Sequence, residues 1–430
     1  TLGATSSATT QTASNATQGT GGGANTLDTV TSTSSGPTGP CSEPEVRLTE
    51  IALPSPVIGS GNEGDTTPLP MAIAAKPSGG STLAWLGDDG HVHIVDLGSD
   101  DQIVGTAFSL PAVNLQDIAA DASGGVVVLT RDAEGGGTLN CGVPANLCDG
   151  GPDPAIPCYD MYMVRFDDGS ETWATKLTTS SASLPPYSTG PEGPTVNMIW
   201  WYQHHGRIAT DGTNYAAYFC NAISVSEGGC INIHEGDRMQ VVGPGGDILD
   251  HPDAFGLGCS HSWNTRIVWD DATQHFVMVC ATDNQNRIAR PAPYRTIFST
   301  PDIGSASVGD LVVASGGGYW VSVSHEGTLR LLHFDEDEPD QNIEITSAEF
   351  SHLVSYGTAN MIIAWESGSG MTAQVRSSAD GSEVSAPFDI DVPDHRYQAF
   401  KSFPDGSVAY AAHGASSQSA RIARVLPCEG

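Results

Sequence analysis

Two short stretches place histidine shortly before an Arg-Ile pair: "QHHGRI" (Gln203 to Ile208) and "GCSHSWNTRI" (Gly258 to Ile267). With the preceding Tyr202 they gather Tyr202, His204, His205, Arg207, His261, Trp263 and Arg266. Arginine offers a bidentate fork to a carboxylate or sulfate. Histidine can take a proton near neutral pH, and tyrosine can return one. In one place, these groups could cleave a uronate-containing polysaccharide. Arg207 or Arg266 would neutralise the uronate, His205 or His261 would abstract the neighbouring proton, and Tyr202 would protonate the leaving oxygen. The competing reading is a hydrogen-bonded structural layer of histidine and arginine.

Metal chemistry is less well served. His204, His205, His234 and His261, with Glu235 and Asp237 of "HEGD", match no familiar zinc spacing. Adjacent histidines on a strand point to opposite faces. The acidic stretches "DLGSDD", "FDDGSE", "HFDEDEPDQN" and "FDIDVPD" are hard-oxygen clusters that would suit calcium, but none carries a full DxDxDG loop. Calcium is the one cofactor these clusters leave open. GxSxG is absent, and no glycine-rich run has the lysine of a phosphate loop.

The elements that must position these residues repeat along the chain. "AIAAKPSGGSTLAWL" begins at Ala72, "DIAADASGGVVVLTRD" at Asp117, "RIATDGTNYAAYF" at Arg207 and "RIVWDDATQHFVMVC" at Arg266. "DLVVASGGGYWVSVSH" follows at Asp310, "HLVSYGTANMIIAWE" at His352 and "QAFKSFPDGSVAYAAH" at Gln398. Each is a strand, a Gly/Asp/Asn turn and a more apolar strand, and no segment carries a convincing helical period. Where no insertion intervenes, copies start about 45 residues apart, the spacing of propeller blades. Longer loops at Cys141 to Cys158 and Ser180 to Pro194 read as insertions. The expected fold is therefore an all-β, seven-bladed β-propeller over residues 44–430, behind a Ser/Thr/Gly-rich tail over residues 1–43. On these repeats the chain resembles secreted bacterial β-propeller repeat proteins, a resemblance of architecture over about residues 45–430. It lacks a WD series, the kelch glycine pattern and a YWTD series.

In such a ring the leading residues of the inner strands line one mouth of the channel. Here they are Ala72, Asp117, Arg207, Arg266, Asp310, His352 and Gln398, six of them polar. Asp117, Asp310, His352, Trp263 and His204 are thus candidate binding residues beside the candidate catalytic set. Closing the ring requires a tie between its ends. "EVRLTEIAL" (Glu45 to Leu53) reads as a lone strand, and the last repeat is one strand short, so the early strand is expected to complete it. Cys41 and Cys428 flank these two segments, and a Cys41–Cys428 disulfide would staple the ring, nominally worth about 4–5 kcal/mol. Cys220–Cys230 and Cys259–Cys280 are the other expected pairs, leaving an odd thiol among Cys141, Cys148 and Cys158.

Nine cysteines with no CxxC argue for disulfides and an oxidising compartment. A formal net charge of -33, with Lys76, Lys176 and Lys401 the only lysines, argues against nucleic-acid and anionic-membrane partners. No stretch is apolar enough to span a membrane. The chain begins at Thr1 rather than Met, which fits a leader already removed. The tail has too few apolar side chains to fold alone. It is expected to act as a flexible stalk or tether, or to drive self-association, with Asn15 in a glycosylation-type sequon. The functional expectation is an exported, cell-surface or extracellular, non-enzymatic binding or assembly protein. The alternative is a polysaccharide lyase using the His/Arg/Tyr cluster.

Overall fold

The computed structural model describes residues 40–428, apart from 60–68, 133–146, 149–157, 185–194, 201–205, 261–263, 283–286, 300–305, 336–338 and 369. Every regular element in the described residues is a β-strand. The strands sort into four-stranded antiparallel units over residues 71–111, 114–176, 207–249, 265–299, 306–347 and 351–390, and a seventh that ends the chain. The first strands of the units are Met71–Ala75, Asn114–Ala120, Arg207–Thr210, Thr265–Asp270, Ala306–Val313, Ser351–Tyr356 and Lys401–Ser402. Each touches the next, and the last returns to the first. That closed cycle, with antiparallel sheets radiating from it, is the geometry of a β-propeller.

Why these sequences make such sheets follows from where their side chains go. Both faces of each sheet are covered, so the second strands read as apolar runs, such as "GGVVVLTRD" (Gly124–Asp132), rather than as strict alternation. Seven core clusters fill the spaces between neighbouring units. One joins Ala84, Leu86 and Ile94 of the first unit to Ile118 and Val127 of the second. Another joins Val277 and Val279 of the fourth unit to Val321 and Phe334 of the fifth. Polar ties recur at these boundaries. The Tyr215 hydroxyl donates to Asp121 at 2.6 Å, and the Tyr319 hydroxyl donates to Asp270 at 2.7 Å. In both, a tyrosine opening a second strand reaches the turn aspartate of the preceding unit.

The seventh unit is built from both ends of the chain. Val46–Ala52 pairs with Ser419–Val425 along its whole length, from Val46 opposite Val425 to Ala52 opposite Ser419. It forms the outermost strand of that unit. Cys41 and Cys428 are disulfide-bonded beside this pairing, their Cα atoms 4.9 Å apart. Asp101, fully buried in a turn of the first unit, accepts from Arg424 of the last strand and from Arg47 of the first, the latter at 2.7 Å. The early strand thus completes the last repeat, as its position predicts.

Three expectations are corrected. Cys230 bonds Cys148, not Cys220, which stays a buried thiol. The reason is register. Tyr215–Glu227 and Cys230–Val242 form one long hairpin in which Cys230 faces Glu227 and Cys220 faces Asp237. The seven residues from Cys220 to Glu227 separate the two sulfurs by about 20 Å of strand. Of the three cysteines among which the odd thiol was expected, Cys148 and Cys158 are disulfide-bonded and Cys141 lies outside the described residues. Second, Val196–Trp200 is an unanticipated strand that pairs with both Cys158–Asp167 and the long hairpin, sewing the second and third units into one nine-stranded sheet. Third, Gln398 lies ahead of its inner strand, which begins at Lys401. Cys259–Cys280 is formed as expected.

Burial of Asp237 in the third unit has a consequence for stability. Its carboxylate accepts from the Tyr218 hydroxyl and from the Gly258 and Cys259 amides. Burial nevertheless pushes its pKa up to about 7. The folded state therefore holds a proton that the unfolded chain releases near pH 4, so this group's contribution is largest in acid and fades as pH rises towards 7. Asp237→Asn is expected to remove about 2 kcal/mol of pH-dependent stability between pH 5 and pH 7. Urea denaturation of parent and variant across that range checks it; parallel curves would contradict it.

Candidate functional site at the channel mouth

Sequence reasoning placed charged residues at the start of the inner strands, and four of them meet in one layer: Arg207 and Arg266 from the start of their strands, Asp117 and Asp310 from mid-strand. Asp117 is buried and accepts from the amides of Ile118 at 2.9 Å and Ile208 at 3.1 Å. Lys401 closes on the same carboxylate at 2.7 Å. Asp310 lies between two guanidiniums, 4.0 Å from Arg207 and 3.5 Å from Arg266. Arg207 donates to the Gly206 and Gln398 carbonyls, each at 3.2 Å. Arg266 is 0 % exposed and donates to the carbonyls of Gly309, Thr265 and Val308. A Cβ at Gly309 would collide with the Ser322 hydroxyl and the Ser351 carbonyl, so only glycine brings this backbone so close. Burial, then the neighbouring Arg207, pushes the Arg266 pKa down to about 9, which leaves it charged at neutral pH.

A second cluster lies under the segment leading into the last unit. His352 and Asp394 are both 1 % exposed in their side chains and bond at 2.6 Å. Burial opposes ionisation of Asp394, yet His352 holds its carboxyl below the usual range. His352 also packs against Phe400 and Tyr410. Tyr410 accepts from the His395 amide at 2.9 Å, and burial pushes the His395 pKa down to about 4, keeping that ring neutral. Gln398 spends its side chain on the Ala411 carbonyl. Ala72 is buried in the core between the first and second units.

Tyr202, His204, His205, His261 and Trp263 lie outside the described residues. Of the metal candidates, His234 bonds Glu227 and Asn232. Burial raises Glu235 to about 6. Among the described residues, the His/Cys/Asp/Glu group close enough to share an ion is Asp237, Cys259 and Cys280, and the two cysteines are bonded to each other. The acidic stretches proposed for calcium carry internal partners: Asp101 with Arg424, Asp167 with Arg165, Asp340 with His333 and Asp394 with His352. Lys401 is the residue that sequence reasoning missed at this mouth. Its signal was present: one of three lysines in an acidic chain, inside the apolar run "QAFKSF".

Behind the charged layer lies a cavity of about 460 Å³, open to solvent and walled by the inner strands of the third to seventh units. Arg207, Asp310 and Lys401 contribute to its lining, as do Val268, Trp269 and Val313 further along the strands.

No protein-family model matches the chain, and no curated protein matches it. Solved structures with similar form are remote. A virginiamycin B lyase from Staphylococcus aureus is 12% identical over 89% of this chain and 100% of its own, with a TM-score of 0.47. A chain of a mitotic checkpoint complex is 11% identical over 94% of this chain and 98% of its own, at 0.49. The WD40 β-propeller domain of Doa1 is 13% identical over 86% and 96%, at 0.42.

Proposed function

We propose that this chain is an exported, cell-surface or extracellular β-propeller with a non-enzymatic binding or assembly role. The observation that carries the reading is how Arg266 is used. Its hydrogen bonds go to backbone carbonyls of its own and the next unit, and its side chain is sealed from solvent. Asp117 is likewise buried and held by protein groups. A guanidinium that must seize a uronate needs free donors facing a pocket, and Arg266 has given its donors to the fold. Three disulfides, Cys41–Cys428, Cys148–Cys230 and Cys259–Cys280, suit an oxidising environment and support export. The surface charge disfavours nucleic acids and anionic membranes as partners. The tail over residues 1–43 serves as tether or self-association segment to the propeller over 44–430.

The test is incubation with alginate, pectate, ulvan and glycosaminoglycans, read at the absorbance of unsaturated uronate. No product is expected. Turnover of any of them, abolished by Arg207→Gln or His205→Ala, would replace this reading with the polysaccharide lyase. Light scattering with and without residues 1–43 tests the assembly role: equal mass for both chains would remove the tail from it.

A further inference from the structure

The charged layer is saturated on one side and under-supplied on the other. Arg207 is 4% exposed, and its two terminal nitrogens donate to neutral carbonyls. Its Nε has no hydrogen-bond partner among the described residues. Its nearest carboxylate, Asp310, stands 4.0 Å away and is shared with Arg266. Lys401, with three ammonium donors, donates to Asp117 in the layer. Arg207, Arg266 and Lys401 carry three positive charges against the two carboxylates Asp117 and Asp310, an excess of one. The Asp394–His352 pair is bonded to itself. A positive excess is unusual in a chain with a formal charge of -33. Arg207 and Lys401 both line the central cavity. Beyond them its walls mix polar and apolar groups: Thr210, Ser355 and Ser402 stand beside Ala209, Val268, Trp269 and Val313, the last four partly exposed.

We propose that the central cavity binds a small organic monoanion, its carboxylate or equivalent group held by Arg207 and Lys401 and its apolar body by the walls. Lys401 is part-exposed and spends one of its ammonium donors on Asp117, and an ionised oxygen is the acceptor that best satisfies the others beside the Arg207 charge. The volume of about 460 Å³ suits a molecule of one to three rings, within the range of ordinary ligand sites. A folded partner is too large for it. This site goes beyond the proposed binding or assembly role and stands whether or not that role holds, because it uses the channel and not the outer faces or the tail.

The full chain is titrated with 2-naphthoate and, as a neutral isostere, 2-naphthamide, by calorimetry and ligand-observed NMR. Naphthoate is expected to bind and the amide to bind at least about ten-fold more weakly, the difference between a charged and a neutral acceptor. Lys401→Met is expected to weaken naphthoate by about ten-fold and leave the amide unchanged. Lys401 also pairs with Asp117, so a second variant avoids the charged layer. Val313→Trp narrows the cavity far from Arg207 and is expected to abolish binding of both probes while the thermal melt stays near that of the parent. Absence of naphthoate binding at millimolar concentration, equal affinity for the amide, or unchanged binding by Val313→Trp would each overturn the proposal.

Discussion

Replacing Cys41 and Cys428 together with serine is expected to lower the unfolding free energy by about 6 kcal/mol at the chain-entropy limit and the melting temperature by about 7 °C. The two residues are separated by 387 positions, so their bond closes nearly the whole propeller and restricts the unfolded chain accordingly. The folded state is ready to hold it. Val46–Ala52 lies in full register on the last strand, and Asp101 receives arginines from both ends of the chain. Arg424 also stacks on Phe403, 3.9 Å from the ring centre. Cys259 and Cys280 are 21 positions apart, and their removal is expected to cost less, about 3 kcal/mol. Calorimetry and urea denaturation of the two double variants, without reductant, give the comparison. A larger loss from Cys259/Cys280 than from Cys41/Cys428 would contradict this view of closure.

Arg266→Met is expected to cost about 3–5 kcal/mol, the scale seen when one partner leaves a buried charged network. Methionine fills much of the volume but donates nothing. The Gly309, Thr265 and Val308 carbonyls lose their donor, and Asp310 keeps only Arg207, at 4.0 Å. Gly309 and Val308 belong to the fifth unit while Arg266 belongs to the fourth, so the side chain is also a tie between neighbours. An arginine kept for ligand or substrate would behave otherwise, since residues held for function commonly leave stability unchanged or improved when removed.

Much of this was legible in the sequence because the repeat is local. A strand, a Gly/Asp turn and an apolar strand recur at a regular spacing, and six of the seven inner strands contain or directly follow the residue chosen to mark them. Closure was legible for a different reason: the last repeat lacked a strand, and cysteines bracketed the gap. Cys220–Cys230 failed because proximity in sequence suggested a short hairpin, whereas the strands run on for 13 residues each and carry Cys220 far from the turn. The strand Val196–Trp200 follows directly on a Pro-rich insertion, and its five residues are too few to stand out as a repeat of their own. At the channel mouth, polarity identified Asp117, Arg207, Arg266 and Asp310. It did not reveal that Arg266 faces backbone carbonyls across a unit boundary, because that partner is a glycine 43 positions away whose only signal is its lack of a side chain.

The central claim is that the charged layer at the channel mouth holds the ring together. Its most direct test is the unfolding free energy of Arg266→Met in urea, measured against the parent at neutral pH. A loss of about 3 kcal/mol or more is predicted. A variant as stable as the parent would contradict the claim and return Arg266 to the list of residues kept for chemistry.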